Sequence, residues 1–219
     1  VPGGEAEPQP ENYGIVLLGD ENGVIWDPLL VIRHTAAAPD RVRVEDVQVW
    51  MRPGTNELWV FWTNSGSIEE WDDTWNNFDH SLGVSIIKNP DEADPADLEW
   101  TAPRRISDGL MRNKPTVLSN GDILVCAYDA MNNNWANVYA LESGEIDTWI
   151  ESGTEQWSLR GSVYAPQNSV FDEHQIVELS DGTLWILMRS PLGITQSYSY
   201  DGGYHWTQAE VAPLLKGGD

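Results

Sequence analysis

At 219 residues the chain is long enough for one domain with a substantial core, and 35 acidic against 12 basic side chains give it a formal net charge of −23. That charge opposes binding to nucleic acid or to an anionic membrane surface, since both are polyanions. A single cysteine, Cys126, excludes an internal disulfide and any cysteine-based metal site, and no apolar run approaches the roughly 18 residues of a membrane span.

Residues 1–12 (VPGGEAEPQPEN) are rich in Pro, Gly and Glu and read as a flexible segment, a linker or a processed terminus. The strand-like pattern occupies 13–212, and 213–219 form a tail. Three hairpins follow in chain order. They are VQVWMRPGTNELWVFWTN (47–64), PTVLSNGDILVCAYDA (115–130) and QIVELSDGTLWILMRS (175–190), each two β-branched and aromatic runs around a glycine-containing turn. Leu58, Ile123 and Leu184 open the second strands, 65 and then 61 positions apart, and the runs 82–87, 137–141 and 195–200 supply a further strand each. Asp181-Gly182 predicts a two-residue turn that sets His174 opposite Arg189, while a one-residue bulge would set Glu173 there instead. Helical periodicity is hard to find. The expectation is an all-β chain of repeated multi-stranded sheets, the mark of β-propeller blades, each too thin to bury its faces alone.

The acidic run Asp91-Glu92-Ala93-Asp94 reads as solvated loop, and a high-salt habitat or ordinary export accounts equally well for the chain's acidity. Cys126, within Leu124-Val125-Cys126-Ala127, reads as a buried strand residue. Eight residues before each turn glycine stand Asp46, Asn113 and His174, and Thr63, Tyr128 and Arg189 hold the matching positions on the partner strands. Equivalent strand ends ring the central channel of a propeller, so Asp46, Asn113, Lys114, Tyr128 and His174 are candidate ligand contacts. Of the twelve tryptophans, Trp59 and Trp185 read as core, whereas Trp71, Trp75 and Trp135 lie in loops as candidate sugar platforms.

Ser199-Tyr200-Asp201-Gly202-Gly203-Tyr204-His205-Trp206 resembles the Asp box of sialidases, a structural turn in which aspartate accepts backbone N–H groups, glycine permits positive φ and tryptophan packs beneath. Degenerate copies stand at 19–26 and 96–100. Together with Arg112-Asn113-Lys114-Pro115-Thr116-Val117 and Glu173-His174-Gln175-Ile176-Val177-Glu178-Leu179, the box makes the chain similar to the sialidase-type propeller over roughly 20–212. The resemblance implies six blades of about sixty residues, of which this chain holds three to four, so that a second chain or further segment would complete the ring.

It also implies an exo-acting glycoside hydrolase that releases a terminal acidic sugar with retention. Glu173 would orient and deprotonate a tyrosine nucleophile lying outside these residues, and Arg189 would grip the substrate carboxylate with a planar fork that lysine cannot reproduce. Asp79, after the Trp/Asn-rich loop, is the candidate acid/base by position, and Arg112 joins Asn113 and Lys114 as a candidate substrate contact. The implied partner is a glycan, with no cofactor, metal or nucleic acid and no membrane insertion, in a secreted, extracellular or periplasmic setting. The alternatives are another carbohydrate-active propeller, a polysaccharide lyase or rhamnosidase-like enzyme using His174, Tyr128 and Arg189, and a non-catalytic glycan-binding propeller.

Overall fold

The computed structural model describes residues 13–19, 22, 26–32, 43–65, 80–92, 94–129, 135–154, 157–164, 173–190 and 192–213. They form antiparallel sheets within two compact units, Val1–Arg105 and Ile106–Asp219.

In the first unit, β1 (Gly14–Gly19) pairs with β2 (Trp26–Ile32), and β3 (Arg43–Met51), β4 (Leu58–Ser65), β5 (His80–Ile87) and β6 (Arg104–Asp108) form a four-stranded sheet in chain order. The final strand, β6, runs across the division between the units. The alternation of β4 decides its two faces. Val60 and Trp62 join Val16, Ile32 and Val44 in one core, while Trp59 and Phe61 are buried on the other face and meet Trp50 edge-on and tilted. A Cβ on Gly83 would lie 2.5 Å from the Trp62 indole, its cross-strand partner, so glycine is what lets the ring lie flat on β5. One residue too many on β3 shifts its register between Glu45 and Gln48, and Asp46 sits in this bulge with φ +51.

The second unit holds β7 (Thr116–Val117), β8 (Ile123–Asp129), β9 (Trp135–Leu141) and β10 (Ser158–Tyr164) in one sheet, then β11 (His174–Glu178), β12 (Leu184–Ser190), β13 (Gly193–Ser199) and β14 (Glu210–Val211) in another. Their facing sides share a core that includes Leu124, Cys126, Val138, Ile176, Ile186 and Met188, with Trp206 packed against it. A short helix, α1 (Ile146–Ser152), interrupts the all-β pattern in the β9–β10 connection. Its Ile146, Trp149 and Ile150 are buried at helical spacing, and Gly153 ends it in the left-handed region at φ +70.

The third hairpin corrects the two-residue turn. Leu179 accepts from Gly182 N at 2.9 Å and donates its own N–H to Thr183 O at 2.8 Å, so Ser180-Asp181-Gly182 form a three-residue loop with Gly182 at φ +85. The second hairpin repeats this at Leu118, Gly121 and Asp122. The extra loop residue moves every pairing by one. His174 faces Met188, not Arg189, and the Arg189 N–H donates to Glu173 O at 3.1 Å. The bulged alternative is the one the chain adopts.

The outer edge of β11 is tied to β7 by side chains. Asn113 Nδ2 donates to His174 O at 2.7 Å, Thr116 Oγ1 to Ile176 O at 2.7 Å, and Ser119 N and Oγ to the Glu178 carboxylate at 2.6 and 2.8 Å. Three donors spaced along one edge strand thus satisfy groups that a bare edge would leave to solvent or to aggregation.

Candidate functional site

The candidate site lies where β11 begins and β12 ends. The turn register places Glu173 and Arg189 side by side, and Arg189 Nη1 meets Glu173 Oε2 at 2.5 Å with the side chains 48% and 37% exposed, respectively. An exposed pair of this kind contributes little to stability. Its interest is chemical: a guanidinium carries five N–H donors, so one carboxylate does not exhaust it.

Alternation sends the next residue inward. His174 is only 3% exposed, and neither ring nitrogen has a hydrogen-bond partner among the described residues. Burial pushes its pKa down to about 4, against weaker upward pulls from the hydrogen bond with the Glu173 backbone and from the Glu173 charge, so the imidazole is neutral near pH 7. Tyr128 meets the ring edge-on at 5.6 Å between centroids and is itself buried. Leu110 holds Tyr128 by a pair of backbone hydrogen bonds at 2.8 and 2.9 Å, and a Cβ on Gly109 would stand 2.5 Å from the Tyr128 carbonyl. Asp108-Gly109 was the sequence signal for this close approach, and the sequence reading passed over it.

Between β7 and β11 runs a narrow crevice lined by Met111, Asn113, Lys114, Thr116, Leu124, Cys126, His174 and Ile176. Lys114 is exposed at its mouth, and Asn113 and Arg112 are half-buried. Burial drives the Cys126 thiol pKa well above its ordinary range, which fits a packing role. The structure therefore brings Glu173, His174, Arg189, Asn113, Lys114 and Tyr128 to one region of the second unit. Asp46 belongs to the first unit, in the β3 bulge, and Asp79, Trp71 and Trp75 lie outside the described residues. Among the described residues, no group of three or more His, Cys, Asp or Glu side chains is placed to hold a metal ion, and no helix is long and apolar enough to cross a membrane.

The 199–206 turn is built as its sequence requires. Asp201 Oδ1 accepts from the Tyr204 and His205 N–H groups at 3.1 and 2.9 Å and from Ser199 Oγ at 2.9 Å, and Trp206 Nε1 donates to Gly203 O at 3.0 Å. The turn leans on the neighbouring sheet so closely that a Cβ on Gly161 of β10 would lie 2.2 Å from Gly203 O. Every polar group of Asp201 is spent on the turn.

Comparison with known proteins agrees with this architecture. Residues 20–216 match the family model for the BNR repeat-like domain. No curated protein sequence matches the chain. Among solved structures, a protein of unknown function from Dyadobacter fermentans DSM 18053 is similar with a TM-score of 0.61 at 13% identity, over 95% of this chain and 60% of that one. The NanB sialidase of Streptococcus pneumoniae, in complex with 2-[(3-chlorobenzyl)ammonio]ethanesulfonate, is similar with a TM-score of 0.57 at 10% identity, over 92% of this chain and 47% of that one. The K499G mutant of the same sialidase gives a TM-score of 0.56 over the same shares. At such identities the likeness is one of fold, and the chain spans about half to three-fifths of the length of these structures. Sheets that repeat at near sixty residues, an Asp-box turn and a family match over most of the sequence converge: the chain belongs to the BNR repeat-like domain family.

Proposed function

We propose that this chain carries part of the substrate site of a sialidase-type glycoside hydrolase, secreted to where glycans are met, that releases a terminal acidic sugar with retention. On this reading the four-stranded sheets are blades of one propeller, and the β11–β12 end faces the sugar. The observation that carries the reading is the Glu173–Arg189 pair, half-exposed on rigid strands and beside Asn113 and Lys114. In a chain of charge −23 with 12 basic residues, an anionic sugar needs a local concentration of cations. Arg112, Lys114 and Arg189 provide one.

Arg189 receives the sugar carboxylate through paired charge-assisted hydrogen bonds, and Glu173, already bonded to it, is the base for a tyrosine nucleophile supplied by polypeptide outside these residues. A tyrosine suits this substrate because a carboxylate nucleophile would be repelled by the sugar's own carboxylate. Asp79 remains the candidate acid/base.

A second reading draws on a different observation. The neutral, unpartnered imidazole of His174 beside Tyr128 is the arrangement that proton abstraction from a uronate would use, in a lyase whose Arg189 holds the uronate carboxylate. A non-catalytic glycan-binding role would use the same Arg189 contact without turnover.

The test is binding and turnover by the full-length protein. Arg189→Lys weakens acidic sugars by roughly 1.5–3 kcal/mol, the range for hydrogen bonds to charged groups, and leaves neutral sugars nearly unchanged. Equal losses for both remove Arg189 from a carboxylate site. Release of free acidic sugar supports the hydrolase, an unsaturated uronate product the lyase, and binding without product the third role.

A further inference from the structure

The two sheets of the second unit are copies of one pattern, so each face of one has a counterpart on the other. On the β7–β10 sheet Leu124 stands opposite Ala140 and Cys126 opposite Val138. On the β11–β14 sheet the same places are taken by Trp185 opposite Tyr198 and Leu187 opposite Gln196. The neighbour Thr116 of Leu124 corresponds to Val177, the neighbour of Trp185.

These equivalent faces differ in one respect. Leu124, Cys126 and Val138 are buried against Ile176, Ile186 and Met188 of the following sheet. On the counterpart, Val177 is 40% exposed and Trp185, Leu187 and Tyr198 are half-exposed. The open face is already prepared for burial. Trp185 and Tyr198 stack with centroids 6.3 Å apart and planes 6° off parallel, and Trp185 Nε1 donates to Gln196 Oε1 at 3.2 Å. Gln196 Nε2 in turn donates to Glu210 Oε1 at 3.2 Å. Covering this face with apolar side chains would therefore orphan neither the indole donor nor the amide.

We propose that this face is the docking surface for one further four-stranded sheet of the same repeat, presenting aliphatic side chains at the places of Ile176, Ile186 and Met188. The partner's chemistry is displayed within the molecule, where the equivalent face is closed by such a sheet. Its source is additional polypeptide of the full-length protein. Two copies of a chain of charge −23 repel one another, whereas the structures of similar fold are longer, with 60% and 47% of their lengths covered here. The inference rests on the internal repeat and not on the roles of Glu173 and Arg189, so either can fail alone.

The experiment compares Trp185 and Tyr198 oxidation by hydroxyl radicals in this chain and in the full-length protein, with Leu187→Lys made in both. The expected result is modification about tenfold slower in the full-length protein, the factor that 1.4 kcal/mol of local protection represents. Leu187→Lys removes that protection and lowers the full-length melting temperature, while barely changing this chain's. Equal oxidation in both proteins overturns the proposal. So does protection that appears in this chain alone with rising concentration and a doubled mass, since the occupant would then be a second copy.

Discussion

In the first unit, Ser85 Oγ donates to Thr101 O at 2.7 Å, Thr101 Oγ1 accepts from Ile86 N at 2.9 Å, and Thr101 N donates to Ile86 O at 2.9 Å. In the second, Ser197 Oγ donates to Thr207 O at 2.7 Å, Thr207 Oγ1 accepts from Tyr198 N at 3.0 Å, and Thr207 N donates to Tyr198 O at 2.8 Å. The two clamps correspond atom for atom, each just after a tryptophan, and each fastens the chain entering the fourth strand to the third. Between strand and clamp the turns diverge. Asp201 accepts the N–H of His205, the residue before Trp206, whereas Asn89 accepts the N–H of Glu99, the residue before Trp100, at 2.6 Å across a longer loop. That loop has its own brace, a 3₁₀ turn at Pro95–Asp97 capped by Asp94. The comparison separates what the repeat needs mechanically, an acceptor two residues beyond the third strand and a Ser/Thr clamp, from what one copy happens to use. A charged aspartate is one solution and a neutral amide is another.

The largest expected effect breaks the 199–206 turn from outside. Arg160 of β10 bonds Asp122 Oδ2 at 2.8 Å with both side chains nearly buried, and its guanidinium lies 5.2 Å from the Tyr204 ring centre. Burial raises the Asp122 pKa, but hydrogen bonds from Ser143 N, Arg160 and Asn120 outweigh it and hold the carboxyl below its ordinary value. Arg160→Met leaves that carboxylate buried without its cation and removes the brace on the turn, for a loss of about 3 kcal/mol in chemical denaturation. A loss under about 1 kcal/mol would show that the turn stands without its neighbour.

A smaller effect sharpens the equivalence of the clamps. Thr101→Val orphans the Ile86 N–H in a buried setting and should cost about 1–2 kcal/mol. Thr207 is exposed, so in Thr207→Val water replaces the hydroxyl and the cost falls to a few tenths of a kcal/mol. Equal costs would mean that burial is not what distinguishes the two copies.

Sequence reasoning reaches some of these features and not others for identifiable reasons. The strands of all three hairpins are legible because period-two alternation and β-branched residues are local signals, and the Asp box is legible because its partners lie within four residues. Asn89 is not, since it works on Glu99 from ten residues away, and the reading that put Asp97 in the aspartate's place followed spacing alone. In the third hairpin Asp-Gly carries the glycine but not the loop length, so Ser180 decides the register and with it the meeting of Glu173 and Arg189. The repeat marked Asn113 and His174 as equivalent positions, and the hydrogen bond between them follows from adjacent copies. That His174 is buried and neutral depends on Tyr128, distant in the chain, and no local pattern carries it. The helix at 146–152 is too short for its periodicity to stand out.

The smallest effect is also the most selective. Hydrogen bonds from the His205 backbone and ring, then from Ser199, hold the Asp201 carboxyl far below its ordinary value near 3.8. A depressed folded-state pKa stabilises the fold above the unfolded value and loses that contribution as pH falls through the folded one, so this turn weakens only in strong acid. Asn89 does not titrate. Amide exchange of His205 and Tyr204, expressed as protection factors, should therefore fall between pH 4 and pH 2, a window set by the ordinary carboxylate pKa and the depressed one, while Glu99 keeps its protection. A parallel fall at Glu99 would point to general loosening by acid and dissolve the distinction between charged and neutral acceptors. If only the Asp201 turn responds, one strand-closing device has been built twice in this chain, once with a titratable group and once without, and acid can tell the copies apart.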